Sequence, residues 1–159
     1  MAGMVLAYES SKSIDPEITM IRKLLFFCSL AFLTQVSAQD IAGEYEVIYD
    51  TSNAYISYEL VLNTDGRFSF HFYRKSDCAT CVEENQYGRG RWEATAKKLT
   101  LITDPDTDVN EDFVLDLNGS KAHFIFKSPR DKTDRVVKTR LKFYESDIFW
   151  VKGMEVFKK

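Results

Sequence analysis

The chain has 159 residues, of which 45% are hydrophobic, 14% aromatic and 28% charged, a composition typical of folded globular proteins. Its 7 glycines and 3 prolines exclude collagen-like and low-complexity classes. The formal net charge of −3 arises from acidic and basic residues mixed along the chain, which leaves no long basic stripe for nucleic acid. No nucleophile–base or carboxylate-pair motif is recognisable, so we predict a protein that is not an enzyme.

The first patterned segment is typical of an export signal. Basic Met20–Lys23 precedes the apolar run Leu24–Leu33, and Thr34–Ala38 then brings small residues to the positions before Gln39. This three-part order predicts a secretory signal helix, cleaved between Ala38 and Gln39. A membrane span needs about 20 apolar residues, so the run is too short to predict a permanent anchor.

Two alternatives stay open within this leader. Met20 is an alternative start of the protein, which would make residues 1–19 an extension upstream of the true start. Cys28 is a less favoured candidate for lipidation, since bulky phenylalanines precede it where a lipoprotein signal has small residues. Residues 1–38 are therefore predicted to be leader and signal peptide, and residues 39–159 one exported domain of the periplasm or the extracellular space.

Beyond Gln39, apolar and polar residues alternate with the period of two that indicates β-strands. Ile41–Ile48 is predicted as the first strand, and Ile56–Leu62 as the second. Asn63–Gly66 is a hairpin turn, in which Gly66 can adopt a positive φ. The strand that follows places aromatic side chains on one face: Phe68, Phe70 and Phe72.

The same alternation continues to the end of the chain, and Asn118-Gly119 is its strongest short hairpin signal. An acidic loop spans Asp104–Asp112 and a basic loop spans Lys127–Lys132. Strands are predicted over Tyr87–Glu93, Leu99–Ile102, Phe113–Leu117, Ala122–Phe126, Val136–Tyr144, Ile148–Val151 and Met154–Phe157. No segment after the leader has a clear period of 3.6 residues.

Sequential hairpins of this kind predict an all-β, antiparallel sheet whose strands follow one another as neighbours. Such a sheet has to protect its two edges, and closure into a barrel removes them. We therefore predict an up-and-down β-barrel of about eight strands, monomeric and preceded by the signal helix. A barrel of eight strands has an interior that side chains fill or that holds one small ligand.

Several motifs carry a family resemblance over residues 41–127. Gly43-Glu44-Tyr45 resembles the Gly-x-Trp opening of lipocalins, and Leu60–Phe68, Gly90–Glu93 and Lys98–Leu101 resemble small lipocalin-like domains of secreted bacterial proteins. The chain is also similar to the N-terminal barrel of copper-resistance outer-membrane lipoproteins, which carry a Cys-x-x-Cys. The resemblance implies a lipocalin-like barrel. Here the cysteines follow the Asp-Gly hairpin rather than preceding it, so the metal-related role is not carried over.

Cys78 and Cys81 form the sharpest chemical motif. In an oxidising compartment the default state of such a pair is a disulfide. Val82 excludes haem attachment, which needs histidine after the second cysteine. Thioredoxin-like exchange is disfavoured, because the pair lies between strands and Glu83 and Glu84 oppose thiolate formation. Redox sensing or binding of a soft metal ion stays as the alternative to a structural disulfide.

The other ionisable motifs have ordinary interpretations. His71 and His123 alternate with apolar residues, so both are predicted to face solvent. The acidic loop begins like a calcium-binding loop, but Val109 and Leu115 occupy the positions where such loops need glycine and glutamate. A solvated loop is the favoured interpretation, and we predict no cofactor and no metal site.

The inward-facing aromatic side chains are the candidate lining of a ligand cavity. These are Tyr58, Phe68, Phe70, Phe72, Trp92, Phe113, Phe124 and Phe126. The sequence thus favours an exported, non-enzymatic binding module for a small apolar molecule or an envelope protein, with no nucleic acid and no membrane span. An envelope metal or redox sensor that uses Cys78 and Cys81 is the alternative.

Overall fold

The computed structural model describes residues 38–78 and 80–159, with side chains from Asp40 onward. The signal helix, the alternative start at Met20 and the lipidation candidate Cys28 lie outside the described residues. Within the described ranges, no helix combines the length and apolarity that crossing a membrane would take.

The described chain forms a single helical turn followed by strands that close into a barrel. Helix α1 spans Ala38–Ile41. The strands are β1 (Gly43–Asp50), β2 (Ala54–Leu62), β3 (Arg67–Ser76), β4 (Glu84–Thr95), β5 (Lys98–Ile102), β6 (Lys121–Ile125), β7 (Arg140–Glu145) and β8 (Glu155–Lys158). Each strand pairs antiparallel with its sequence neighbours, and β8 pairs with β1. The prediction of an all-β, up-and-down barrel of eight strands is confirmed.

Alternation along the strands sets the interior of the barrel. On β3, Phe68, Phe70 and Phe72 are buried while the residues between them are more exposed. Phe70 pairs with Leu60 of β2 on one side and with Gly88 of β4 on the other, so apolar positions of adjacent strands share one face. Their burial supplies most of the driving force for this fold.

The C-terminus closes the barrel and fixes α1 across one end. Lys159 N donates to Glu44 O over 2.9 Å. Lys158 Nζ donates to the carbonyls of Asp40 (2.9 Å) and Ala42 (2.8 Å), and thereby satisfies helix-end acceptors. Ile41 is fully buried beneath this closure. We call this end of the barrel the helix end. The opposite end, which we call the disulfide end, carries the β1–β2, β3–β4 and β7–β8 connections.

Two predicted strands are irregular segments in the structure. Phe113–Leu117 keeps its alternation, since Leu115 and Leu117 are buried, but it joins β4 through Leu115 N and Tyr87 O (3.0 Å). The segment fits because Gly88 lacks a side chain. A Cβ there would lie 3.0 Å from Leu117 Cδ1 and 3.1 Å from the Leu115 carbonyl oxygen.

The other correction concerns the last two strands. Ile148–Val151 is a turn in which Val151 N donates to Ile148 O (3.0 Å), rather than a strand. Strand β7 begins at Arg140, not at Val136. The reason is that its partner β8 is short and pairs only with Arg140–Lys142. Residues 126–139 therefore form a long connection, which we call the β6–β7 connection.

Asp131 organises the β6–β7 connection. Its carboxylate accepts hydrogen bonds from Thr133 N (3.0 Å) and Thr133 Oγ1 (2.6 Å), and from Arg135 Nη2 (2.8 Å). The bonds from Thr133, together with the nearby Arg135 guanidinium, lower the pKa of Asp131 from 3.8 to about 2. The connection is therefore held by an ionised carboxylate at neutral pH.

We expect the Asp131 interactions to be complete above the ordinary carboxyl pKa and to be lost as the pH falls through about 2. The hydrogen bonds that lower the pKa also stabilise the folded state while Asp131 is ionised. Protonation of Asp131 in acid therefore removes this stabilisation. The measurement is the pH dependence of the NMR shifts of the Thr133 and Arg135 N–H groups. A midpoint near 4 would contradict this account, and Asp131→Asn should abolish the transition.

Candidate functional site

The structure separates the aromatic residues that the sequence grouped as a lining. Phe68, Phe70, Phe72, Trp92 and Phe124 are buried, while Tyr58 and Phe126 are partly buried and pack against the core. Most of the predicted lining therefore belongs to a packed interior, as is usual in small barrels.

One group of these rings lies toward the helix end. Trp92 Nε1 donates to Asn63 O (2.9 Å), which ties the ring to the β2–β3 hairpin. Phe124 and Phe126 have ring centroids 5.1 Å apart, and Lys97 Nζ lies 4.7 Å from the Phe126 centroid. These contacts fix the rings in place and make this end of the barrel a structural core.

Phe113 is the member of the predicted lining that does not join the others. Its ring contacts Tyr87 at 6.3 Å and lies 4.2 Å from the Arg89 guanidinium carbon. Tyr87 in turn stacks on His71 at 4.5 Å, and His71 alternates with the buried phenylalanines of β3. Phe113 thus packs on the outer surface, because its segment lies beside β4 instead of continuing the barrel wall.

The rings toward the disulfide end form a continuous group, which we call the aromatic cluster: Tyr49, Tyr58, Phe70, Phe72 and Trp150. Tyr58 is at its centre. The centroid of its ring lies 5.3 Å from that of Phe72, 5.5 Å from that of Trp150 and 6.2 Å from that of Tyr49. Trp150 also packs 5.2 Å from Phe72 and 6.1 Å from Phe70. Edge-on and tilted ring contacts of this size are favourable beyond the apolar area that they bury.

Exposure increases along the aromatic cluster from the interior to the surface. Phe70 is 1% exposed, Phe72 is 8% exposed, and Tyr49 is 47% exposed. Tyr58 and Trp150 lie between these extremes. The cluster therefore provides an apolar path from the core to solvent, and its outer rings are accessible to an apolar molecule.

Trp150 was not among the predicted lining residues. Sequence alternation assigned it to a strand, whereas the β7–β8 connection turns there and lays the indole over the barrel end. A signal for this turn was present in Ser146-Asp147 and Gly153, residue types that favour turns. Gly153 has a φ of 92°, which few other residues adopt.

A polar pair flanks the aromatic cluster on neighbouring strands. Arg74 follows Phe72 on the same face of β3, and its Nη1 lies 3.7 Å from Glu84 Oε1 of β4. Desolvation raises the pKa of Tyr58, and Tyr49 adds to the effect, while the nearby Arg74 charge opposes it. The pair is half-exposed, so it borders an apolar patch without burying a charge.

The predicted cysteine pair lies at the same end. Cys78 and Cys81 are at disulfide distance with Cα atoms 5.3 Å apart, which confirms the pairing. Beside them, Lys75 Nζ contacts Glu83 Oε1 at 2.8 Å, and this hydrogen bond lowers the pKa of Glu83. Both cysteines are exposed.

We expect the double variant Cys78→Ser with Cys81→Ser to lose only about 2 kcal/mol of unfolding free energy, because the bridge closes a very short loop. The measurement is urea unfolding of the full chain with and without reductant. Loss of the folded state in the variant would contradict the interpretation that the pair only holds the β3–β4 connection.

Both histidines lie on the outer face, as predicted. His71 stacks on Tyr87, with Nδ1 3.9 Å from Glu59, and His123 stacks on Tyr144 at 4.3 Å. In the part of the chain that the structure describes, no three His, Cys, Asp or Glu side chains are grouped so that they could hold a metal ion.

The acidic loop is folded on itself and on β4. Asp108 Oδ2 accepts from Asp104 N (3.0 Å), while Arg89 donates to the carbonyls of Asp108 (3.1 Å) and Thr107 (3.2 Å). The Arg89 side chain therefore holds the acidic loop by binding the main-chain carbonyls of the loop.

No family model, no curated protein and no solved structure matches the chain.

Proposed function

We propose that this protein is a non-enzymatic binding module that holds a small apolar molecule at the aromatic cluster. The observation that carries the proposal is the graded exposure of the cluster, from Phe70 at 1% to Tyr49 at 47%. Rings that are packed at one side and accessible at the other offer apolar area without a large rearrangement of the barrel.

The surroundings of the cluster favour an apolar ligand. Phe149, beside Trp150 in the sequence, is 85% exposed, and Val82 of the β3–β4 connection is 84% exposed. Both lie in connections at the disulfide end, so each adds exposed apolar surface to the end of the barrel at which the cluster opens to solvent. Burial of an apolar ligand would be stabilised by about 25 cal/mol per Å² of apolar surface removed from water.

Export of the domain to the periplasm or the extracellular space is part of the same proposal. It depends on the signal-peptide pattern and is supported by the disulfide-distance pair Cys78 and Cys81, because disulfides persist in oxidising compartments. The alternative function, a redox sensor, has one observation in its favour, namely the exposure of that pair. The lysine-bound carboxylate of Glu83 beside it does not favour a reactive thiolate.

The test uses N-phenyl-1-naphthylamine, a neutral apolar dye whose emission rises when it leaves water. We expect saturable binding to the full chain and an affinity about fivefold lower in Tyr49→Ser, which removes the exposed ring of the cluster. Tyr55→Ser is the matched control, because it removes a tyrosine ring from the outer face of the barrel. Tyr55 is next to inward-facing Ile56 on β2, and its ring packs on Tyr73 of the outer face.

Equal loss of affinity in the Tyr49 and Tyr55 variants would show that the dye reports general destabilisation. Absence of saturable binding to the unaltered chain would reject the cluster as a binding site. The double cysteine variant should bind the dye as the unaltered chain does, which separates this proposal from the redox-sensor alternative.

A further inference from the structure

A cavity lies outside the barrel wall, at the helix end. It has a volume of about 860 Å³ and lies between the β6–β7 connection and the outer faces of β6, β7 and β8. Ligand cavities in proteins commonly measure about 300–1,000 Å³. Its lining includes Ile125, Phe126, Val136, Val137 and Phe157 as apolar surface, and we call it the groove.

The walls of the groove carry an excess of positive charge. Among the described residues, Lys127, Arg135, Lys138 and Arg140 line it together with two carboxylates, Asp131 and Glu155, which gives a net charge of +2. The chain as a whole has a net charge of −3, so this is a local concentration of cations on an acidic protein. Such a field favours an anionic ligand.

The carboxylates of the groove are already engaged. Asp131 binds Arg135 at 2.8 Å. Glu155 is shared by Arg140 Nε (3.0 Å) and Lys142 Nζ (2.9 Å). Glu155 therefore balances one of its two cations, and these three side chains together keep a net charge of +1.

Lys127 and Lys138 supply the remaining charge. Lys127 Nζ donates to the neutral carbonyl of Thr133 (2.7 Å), so its charge is not cancelled. Lys138 Nζ lies 5.9 Å from the centroid of Phe157, a cation–π contact, and the structure pairs Lys138 with no carboxylate of the described residues. Val136, two residues earlier, is 87% exposed at the rim. Cations thus lie beside an apolar floor and an apolar rim, an arrangement that suits a molecule with one anionic group and an apolar body.

We propose that the groove binds a small amphipathic anion, with its charged group at Lys138 and Arg140 and its apolar body against Phe157, Ile125 and Val137. This site is distinct from the aromatic cluster, which carries the proposed function and lies at the opposite end of the barrel. The geometry needs no rearrangement of the strands, since the groove is formed by the β6–β7 connection as it stands.

Decanoate is the probe, with uncharged decanol as the comparison, both titrated into the full chain and followed by NMR. We expect decanoate to shift the methyl signals of Ile125, Val136 and Val137 and to leave the Trp150 indole N–H unchanged. Lys138→Gln should weaken decanoate binding about tenfold, the loss expected for a hydrogen bond to a charged group. Lys152→Gln, which removes an exposed lysine at the disulfide end, is the matched control and should bind as the unaltered chain does.

Equal binding of decanol and decanoate would overturn the proposal, and so would unchanged affinity in Lys138→Gln. Shifts confined to Trp150 would assign decanoate to the aromatic cluster and would also overturn it. A shift of the groove signals with protein concentration, in the absence of any probe, would equally reject the proposal, because a second copy of the chain would then occupy the groove.

Discussion

Replacing Gly90 by alanine is expected to destabilise the barrel by about 3 kcal/mol, at the upper end of what overpacking in a core produces. A Cβ at this position would lie 2.3 Å from the carbonyl oxygen of Ile102 and 2.8 Å from Phe68 Cε1. The closer contact is with backbone of the paired strand β5, so a change of side-chain rotamer cannot relieve it. Two strands would have to separate.

The measurement is urea unfolding of the full chain, with Gly119→Ala as the control. Nothing lies within 4 Å of a Cβ at Gly119, whose φ is 72°. Gly119→Ala should therefore lower the free energy of unfolding only by the cost of a Cβ at a positive φ, about 1 kcal/mol. Equal losses in the two variants would show that β4 and β5 are not in contact at Gly90 as described.

The second large effect is expected for Phe70→Ala, which should lower the free energy of unfolding by about 3–5 kcal/mol. The ring is 1% exposed and packs 6.1 Å from Trp150 and 6.5 Å from Tyr58. Its removal leaves a cavity at the base of the aromatic cluster, because the strands on either side are held by their backbone pairing.

Phe149→Ala provides the comparison for this substitution. Its ring is 85% exposed, so the same change of residue type should alter stability by less than about 0.5 kcal/mol. Urea unfolding of both variants measures the difference. A small loss for Phe70→Ala would mean that the ring does not lie in the interior of the barrel.

The barrel itself was predictable because its local signals and its topology agree. Phe68, Phe70 and Phe72 alternate with polar residues, and Asn63–Gly66 supplies the hairpin, so a strand, a turn and a buried face follow from short windows. Closure followed from a general argument about sheet edges. The pairing of β1 with β8 joins residues more than a hundred positions apart, and no short window contains it.

The candidate site was harder to predict, because it depends on where irregular segments pack. Trp150 belongs to a short apolar run that is typical of a strand, and only the turn of the β7–β8 connection brings it onto Tyr58. Phe113 has the right alternation, but the side on which its segment lies depends on the space left by Gly88. Periodicity predicts which residues alternate, but it does not predict which surface an unpaired segment covers.

The position of the groove could not be predicted from the sequence for the same reason. Of its cations, Lys127 belongs to the basic loop Lys127–Lys132, which is typical of a solvated loop, while Lys138 and Arg140 fall in the predicted strand Val136–Tyr144. Their position beside Phe157 depends on the short strand β8, which leaves residues 126–139 free to form a wall. Charge composition alone did not indicate that an apolar floor lies beneath them.

The most direct test of the proposed function is to identify the residues that a bound apolar molecule touches. Intermolecular NOEs from N-phenyl-1-naphthylamine to the full chain provide this measurement. The proposal predicts NOEs from the dye to the ring protons of Tyr49, Tyr58 and Trp150. NOEs confined to residues on the outer face, such as Tyr87 and Phe113, would contradict it.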